Sequence, residues 1–312
     1  MGWWPSSRVE GESAGAATEL IRNRNFSRLW SAQVLSQVAQ NLLNFALVIR
    51  VFELAQHTRA ANISVALLIL SFGVPSIFFA AAAGVYVDHL NRKHVLLIAN
   101  LLRAVLVLGY LLFEHNLVVV LALSFLISCI TQFFAPAEAA AIPALVPEQQ
   151  LLRANSLFIF TLYASFIVGY SASAPVIGAL GPSGPYYLTS IMFLLATLCI
   201  LPLPNIRPKL TGAVDFWSVI RSTGREIRRN WQIIRANHNL SFPIVQLTIT
   251  QGTVGVLLAL APALSLAVLR APIQAASHVL IIPAGVGMVL GVLAVGWLAR
   301  TYHKLEVISL SL

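Results

Sequence analysis

The sequence predicts an all-α, polytopic membrane protein, and three observations lead to this fold class. Hydrophobic residues make up 58% of the 312 positions and charged residues 10%, whereas a water-soluble domain needs roughly 25% charged residues to cover its surface. The charges stand in short clusters, and the apolar runs between them approach the ~20 residues with which a helix crosses a bilayer. Such runs are too continuous for barrel strands, so helices must satisfy their backbone groups in lipid.

Eight membrane spans can be drawn, and the basic residues orient them. The spans lie near 28–52, 62–87, 94–113, 117–143, 152–178, 185–204, 241–268 and 275–299. Sixteen lysines and arginines then fall on one side of the membrane, and only Arg50, Arg59 and Arg270 fall on the other. Because cytoplasmic loops carry the excess of Lys and Arg, both termini are predicted to be cytoplasmic, in a multi-pass protein of the cell membrane (plasma or inner).

The net charge and the cysteines point neither to nucleic acid nor to metal. The formal charge of +9 is typical of basic cytoplasmic loops, and the sequence shows no basic soluble domain that could dock nucleic acid. Cys129 and Cys199 lie inside apolar runs without the spacing of metal ligands, so we predict small packing residues and no cofactor. The first 25 residues are polar, which predicts insertion through the first span rather than a cleaved signal peptide.

The longest polar stretch divides the chain after six spans. We predict a cytoplasmic N-terminal tail at 1–27, a six-helix N-terminal bundle at 28–204, a cytoplasmic linker at 205–240 and an incomplete C-terminal bundle at 241–312.

Apolar residues at helical spacing predict an amphipathic helix in the linker. They are Trp217, Ile220, Ile227, Trp231 and Ile234, with Arg221, Arg225, Arg228 and Arg229 beside them. The apolar face can lie among lipid headgroups while the arginines meet anionic lipid. Two interpretations stand: a connector that keeps two bundles together, or a regulatory or partner-binding helix.

A shift of about 212 residues lays the second part of the sequence over the first. The span at 28–52 falls on 241–268, the span at 62–87 falls on 275–299, and Gly84 falls on Gly296. Repeats related by an axis along the membrane normal are typical of two-bundle secondary transporters. The first bundle then has six spans and the second has two, so the pattern predicts a truncated chain that lacks about four helices.

The turn after the second span carries the most specific motif. It reads Gly84-Val-Tyr-Val-Asp88-His-Leu-Asn-Arg92-Lys93 and resembles the inner-loop signature of the major facilitator superfamily. Gly84 would allow close helix approach, and Asp88 can cap or pair at a helix end. Arg92 and Lys93 can form charge pairs across the bundle interface. The resemblance implies a gate latch that stabilises the outward-facing state, and an ordinary positive-inside hairpin turn is the alternative.

The motif departs from the usual family pattern at His89 and Asn91, which are commonly an arginine and a glycine. The second copy, in the turn after the last span, keeps Gly296 but has Arg300 in place of the acid.

Further motifs resemble the branch of the superfamily that exports drugs and siderophores, which includes macrolide efflux proteins and the enterobactin exporter. They are Asn23 to Trp30 with Ser36-Gln37, and the stretch from Phe134-Ala-Pro136 to Ala154-Asn155-Ser156-Leu157. The fifth span holds Gly169, Ala174-Pro175, Gly178 and Gly181, a partial match to the family's antiporter motif. Pro175 and Gly178 would let this helix bend, with simple helix packing as the alternative.

Two polar stripes are candidates for a substrate cavity. They comprise Gln33, Gln37, Asn41 and Asn44 in the first span, and Gln246, Thr250 and Gln251 in its repeat partner, the seventh. Amides in hydrocarbon are costly, so both stripes must face other helices or a wet cavity. We predict a site near the midplane of the membrane, and interhelical hydrogen bonding without substrate is the alternative.

Arg103 and Glu138 are ionisable residues within spans. An intramembrane charge is a functional candidate that needs a partner, and either an Arg103–Glu138 or an Arg103–Asp88 pair is compatible with the spacing. Glu138 is the acid within a span that could exchange a proton. The alternative is a side chain that snorkels to the membrane surface.

These features and the resemblance together predict a secondary transporter. It would be a proton-coupled exporter of a small amphipathic organic compound, working by alternating access, with lipid, substrate and protons as partners. The alternative is a truncated remnant that inserts without transporting or needs another chain. The sequence shows no nucleophile–base pair or phosphate loop at catalytic spacing, so an enzyme is not predicted.

Overall fold

A computed structural model of the chain describes residues 20, 22–58, 60–207 and 216–273, with eight further positions between 277 and 290. Within this part the secondary structure is helical, without strands. The helices are α1 (Arg24–Ala55), α2 (Ala61–His89), α3 (Arg92–Phe113), α4 (Leu117–Leu145), a short 3-10 turn (Glu148–Gln150), α5 (Leu151–Leu180), α6 (Gly184–Ile200), α7 (Phe216–Ala236) and α8 (His238–Ala267). The all-α polytopic fold class is confirmed.

Six of the described helices are long and apolar enough to cross a membrane, namely α1 to α5 and α8. The helix at the predicted sixth span is shorter than expected. Instead of 185–204 it covers Gly184–Ile200, 17 residues, and a turn follows at Leu201. The predicted eighth span, with Gly296 and Arg300, and the N-terminal tail lie almost entirely outside the described residues, as do the side chains of Trp217, Ile220, Arg221 and Ile227.

Asparagine side chains fix the starts of three helices. Asn23 Oδ1 accepts from the backbone N–H of Phe26 at 3.3 Å, Asn91 Oδ1 from Lys93 at 3.1 Å, and Asn116 Oδ1 from Val119 at 3.2 Å. Such caps satisfy backbone donors that a helix start leaves unpaired. Asn23 also donates through Nδ2 to the carbonyl of Leu145 at 2.8 Å, so it joins the start of α1 to the end of α4.

Helix α1 is the most enclosed of the spanning helices and packs against α5 and α6, while α2 packs on α4 and α3 packs on both α4 and α6. Two apolar clusters form the core. One contains Phe45, Tyr110 and Tyr186, and the other contains Phe26, Phe134 and Phe158. We call the end of the bundle that carries Asp88 and Arg92 the inner end, after its predicted orientation, and the opposite end, which carries Arg50, the outer end.

The outer surface of the bundle is apolar. Ile77, Phe78, Leu112 and Val118 are each 68% exposed or more, and they belong to four-turn or longer helices with few charges. A soluble protein rarely leaves apolar patches of this size in water. Lipid chains solvate them without cost, which agrees with a multi-pass membrane protein.

Candidate functional site

The inner-loop motif forms an ion pair within its own turn. Asp88, at the end of α2, lies 3.5 Å from Arg92 Nη2 through its Oδ1, and the Asp88 side chain remains 46% exposed while that of Arg92 is 4% exposed. Asp88 makes no ion pair with α7 or α8 in the part of the chain that the structure describes. The pair therefore joins α2 to α3 and leaves the carboxylate accessible.

Arg92 also anchors the segment that follows α6. Its backbone N–H donates to the carbonyl of Ile206 at 3.2 Å, and its Nη1 donates to the carbonyl of Arg207 at 3.2 Å. Asn91 adds a bond from Nδ2 to Asn205 Oδ1 at 3.3 Å. The turn between α2 and α3 is thus bound to the chain that leads out of the six-helix bundle.

Two residues of the motif act differently from their expected roles. A Cβ added at Gly84 would meet no described atom within 4 Å, so Gly84 does not mark a close helix approach there. Asn91, which departs from the family pattern, supplies the cap of α3. Lys93 provides only a backbone N–H to that cap among the recorded contacts.

A cavity of about 520 Å³ lies between α1, α5 and α8. Gln37 and Asn41 of α1, Tyr163 and Phe166 of α5, and Gln251 of α8 line it. The rest of the described lining is aliphatic and carries no charged side chain. Gln37, Asn41 and Gln251 lie near the middle of their helices, so carboxamides from the two predicted stripes meet at mid-depth.

The other stripe residues lie away from the described cavity lining. Gln33 is 3% exposed and donates to the carbonyl of Phe158 at 3.2 Å, and Asn44 accepts from Gln40 at 2.9 Å. Thr250 is exposed and donates to its own helix, to the carbonyl of Gln246 at 3.0 Å. These members therefore follow the alternative interpretation, hydrogen bonding between or within helices.

Gly169 is the glycine at which α5 meets α1. A Cβ built there would lie 2.6 Å from the Cβ of Asn41, 2.8 Å from the carbonyl oxygen of Val38 and 2.9 Å from the backbone N of Leu42. Gly178 faces open space, and α5 continues without a break through Pro175 to Leu180. The described contacts of this span thus concern helix packing at Gly169.

Arg103 is buried between aromatic rings. It is 2% exposed, and its guanidinium carbon lies 4.2 Å from the ring centroid of Phe134 and 4.6 Å from that of Phe193. Its Nη2 donates to Asn100 Oδ1, which also accepts from Ser36 at 3.1 Å. Cation–π contact and this amide replace the water that a charged group loses on burial.

Glu138 is the carboxylate nearest in effect to Arg103. The two charges interact electrostatically, but no ion pair within 4.0 Å joins them. Glu138 is 6% exposed and its Oε1 accepts no hydrogen bond from any described group. The burial argues against a side chain that snorkels to the surface. The Arg103–Asp88 pair is not formed, because Asp88 pairs with Arg92.

The family follows from a direct comparison. The family model described as Major Facilitator Superfamily matches residues 29–312. The chain belongs to the major facilitator superfamily. The resemblance predicted from the inner-loop motif is thereby confirmed at the level of the family.

Curated relatives in the superfamily cover the chain in part. The MFS-type transporter YkuC of Bacillus subtilis (strain 168) is 30% identical over 186 residues, which are 58% of this chain and 42% of that protein. Macrolide efflux protein A of Streptococcus pyogenes is 27% identical over 220 residues, 69% of this chain and 52% of that protein. The chain thus spans about half the length of the curated relatives it matches.

Sequence reasoning missed two groups of residues. Asn100 stands three positions before Arg103, a helical spacing that could have indicated a partner for the guanidinium. At the outer end, Arg50 lies 3.8 Å from Glu53 and 3.5 Å from Glu114. No periodicity predicts this cluster, because Glu114 comes from α3 and only the packing of α3 beside α1 brings it close.

Proposed function

We propose that this superfamily member works as a secondary transporter that exports a small amphipathic organic compound by alternating access, coupled to protons. The observation that carries the proposal is the cavity between α1, α5 and α8, in which three carboxamides and two aromatic rings stand among aliphatic side chains. Pockets for small molecules usually measure about 300–1,000 Å³ and combine apolar walls with a few polar groups. One relative is a macrolide efflux protein, which supports outward transport of an organic compound.

Replacing Gln37 or Gln251 by leucine is expected to weaken substrate recognition. Each change removes a carboxamide from the cavity without adding a charge, and a lost hydrogen bond costs about 1 kcal/mol, or roughly a fivefold rise in KM. The measurement is concentration-dependent efflux of a panel of fluorescent drugs from efflux-deficient cells that express the chain. Thr250→Val is the matched control, because Thr250 neighbours Gln251 but binds only its own helix.

The control is expected to transport like the unchanged chain. Equal efflux by Gln251→Leu and Thr250→Val would contradict the assignment of the cavity. No efflux by any version, with each protein verified in the cell membrane, would instead support a second candidate: a chain that inserts but transports only when another chain completes it. The share of the relatives' length that the chain spans favours that candidate.

Replacing Glu138 by glutamine is expected to uncouple transport from the proton gradient. The carboxylate is buried within α4 and lacks a hydrogen bond at Oε1, so it can take up a proton where few other acids are available. In proteoliposomes, the variant should equilibrate substrate but lose most of the accumulation that a pH gradient drives. Glu148→Gln changes an exposed acid just beyond α4 and should leave that accumulation unaltered. Undiminished accumulation by Glu138→Gln would exclude Glu138 as the coupling group.

A further inference from the structure

Helix α7 is held at the inner end of the spanning helices. It ends at Ala236, a single residue before α8 begins at His238, and it also contacts α2. Because α8 is long and apolar enough to cross the membrane, the last turn of α7 is tied to the point at which α8 enters the bilayer. Its side chains are therefore within reach of lipid headgroups.

The charge on α7 is almost entirely positive. Its sequence contains five arginines and one acid, Glu226. The side chains of Arg225, Arg228, Arg229 and Arg235 are exposed. None of these four forms an ion pair within the described part of the chain. An exposed arginine row without carboxylate partners is complementary to an anionic surface.

Apolar side chains stand next to this arginine row. Trp231 is 58% exposed and Ile233 is 49% exposed, while the guanidinium carbon of Arg235 lies 5.8 Å from the Trp231 ring centroid. Tryptophan prefers the headgroup level of a membrane, where its ring is partly apolar and its N–H can be hydrated. A cytoplasmic protein partner would explain the charge but not the position of Trp231 beside the membrane entry of α8.

We propose that α7 is a binding site for anionic phospholipid, with phosphate groups on Arg225, Arg228 and Arg229 and the acyl boundary against Trp231. Each basic residue near an anionic membrane surface contributes about a fivefold preference for it. Removing three arginines should therefore lower the preference on the order of 100-fold at low salt, and salt should lower it further. The proposal is independent of transport, so neither the cavity nor Glu138 enters its test.

The test uses the full chain in nanodiscs of phosphatidylcholine with a small fraction of phosphatidylglycerol. Native mass spectrometry counts the lipids that stay bound. We expect the unchanged chain to retain phosphatidylglycerol above its bulk fraction, the combined variant Arg225→Gln, Arg228→Gln and Arg229→Gln to lose this enrichment, and the matching triple lysine variant to keep most of it. Arg270→Gln, on the predicted outer side, should change nothing.

A second readout covers the case in which the triple variant folds poorly. Brominated phosphatidylglycerol should quench tryptophan fluorescence more than brominated phosphatidylcholine does, and Trp231→Phe should remove that difference. Unchanged enrichment in the triple glutamine variant, or equal quenching by the two lipids, would overturn the proposal and leave an acidic protein as the partner of the arginine row.

Discussion

Replacing Gly169 by leucine is expected to prevent α5 from packing on α1 and to abolish accumulation of folded protein. A Cβ at this position already falls within 2.6–2.9 Å of Asn41, Val38 and Leu42, and two of the three atoms are backbone. Backbone atoms cannot rotate away, so the helices must separate. Separation would also break the bond from Ser173 Oγ to the carbonyl of Leu42, which measures 2.9 Å. We expect a loss above about 4 kcal/mol, the range in which single substitutions are exceptional.

Gly178→Leu is the matched control for this prediction. Gly178 lies in the same helix, and a Cβ there meets nothing within 4 Å among the described atoms. Size-exclusion chromatography in detergent and thermal unfolding would measure both variants. A Gly169→Leu protein that elutes and unfolds like Gly178→Leu would refute the proposed packing of α5 on α1.

Replacing Arg103 by methionine is expected to destabilise the bundle by about 3–5 kcal/mol, the usual cost of leaving a buried charge without its countercharge. Methionine keeps an apolar chain against Phe134 and Phe193, so the loss would come mainly from Glu138. That carboxylate is 6% exposed and has an Oε1 without a hydrogen bond. The free energy of unfolding in mixed detergent micelles is the measurement.

A second substitution distinguishes the charge from the packing. With Glu138→Gln added, the buried site is neutral again, and the double variant should recover part of the stability that Arg103→Met loses. The coupling in such a cycle should reach about 0.5–3 kcal/mol for groups that share one buried network. Strictly additive losses would mean that Arg103 acts through its contacts with Asn100 and the two rings alone.

The sequence predicted the spanning helices well because hydropathy is a local property. The fourth predicted span, 117–143, became α4 at Leu117–Leu145, and the second, 62–87, became α2 at Ala61–His89. Asparagine caps sharpened several of these boundaries. The sixth span was placed too long, since Leu201 and Leu203 are apolar but belong to a turn, and hydropathy does not distinguish an apolar turn from an apolar helix.

The candidate site was predicted less completely, because residue type does not indicate what lies opposite. Both Gly84 and Gly169 were conspicuous in the sequence, but only Gly169 has another helix against it. The polar stripe of α1 likewise contained Gln33 and Gln37 at equivalent spacing. Gln33 donates to α5, whereas Gln37 lines the cavity, and the difference arises from where α5 and α8 cross α1.

The sequence by itself determined the membrane-spanning character, the family motif and the amphipathic linker helix, because each depends on residues close together along the chain. Only the tertiary structure decided that Gln37 and Gln251 meet at one cavity, that Arg103 lies between Phe134 and Phe193, and that Asp88 pairs with Arg92 rather than with Arg103. The physical reason is that most of these contacts join different helices. Their distances depend on side-chain packing between helices, which the apolar periodicity of any single helix does not specify.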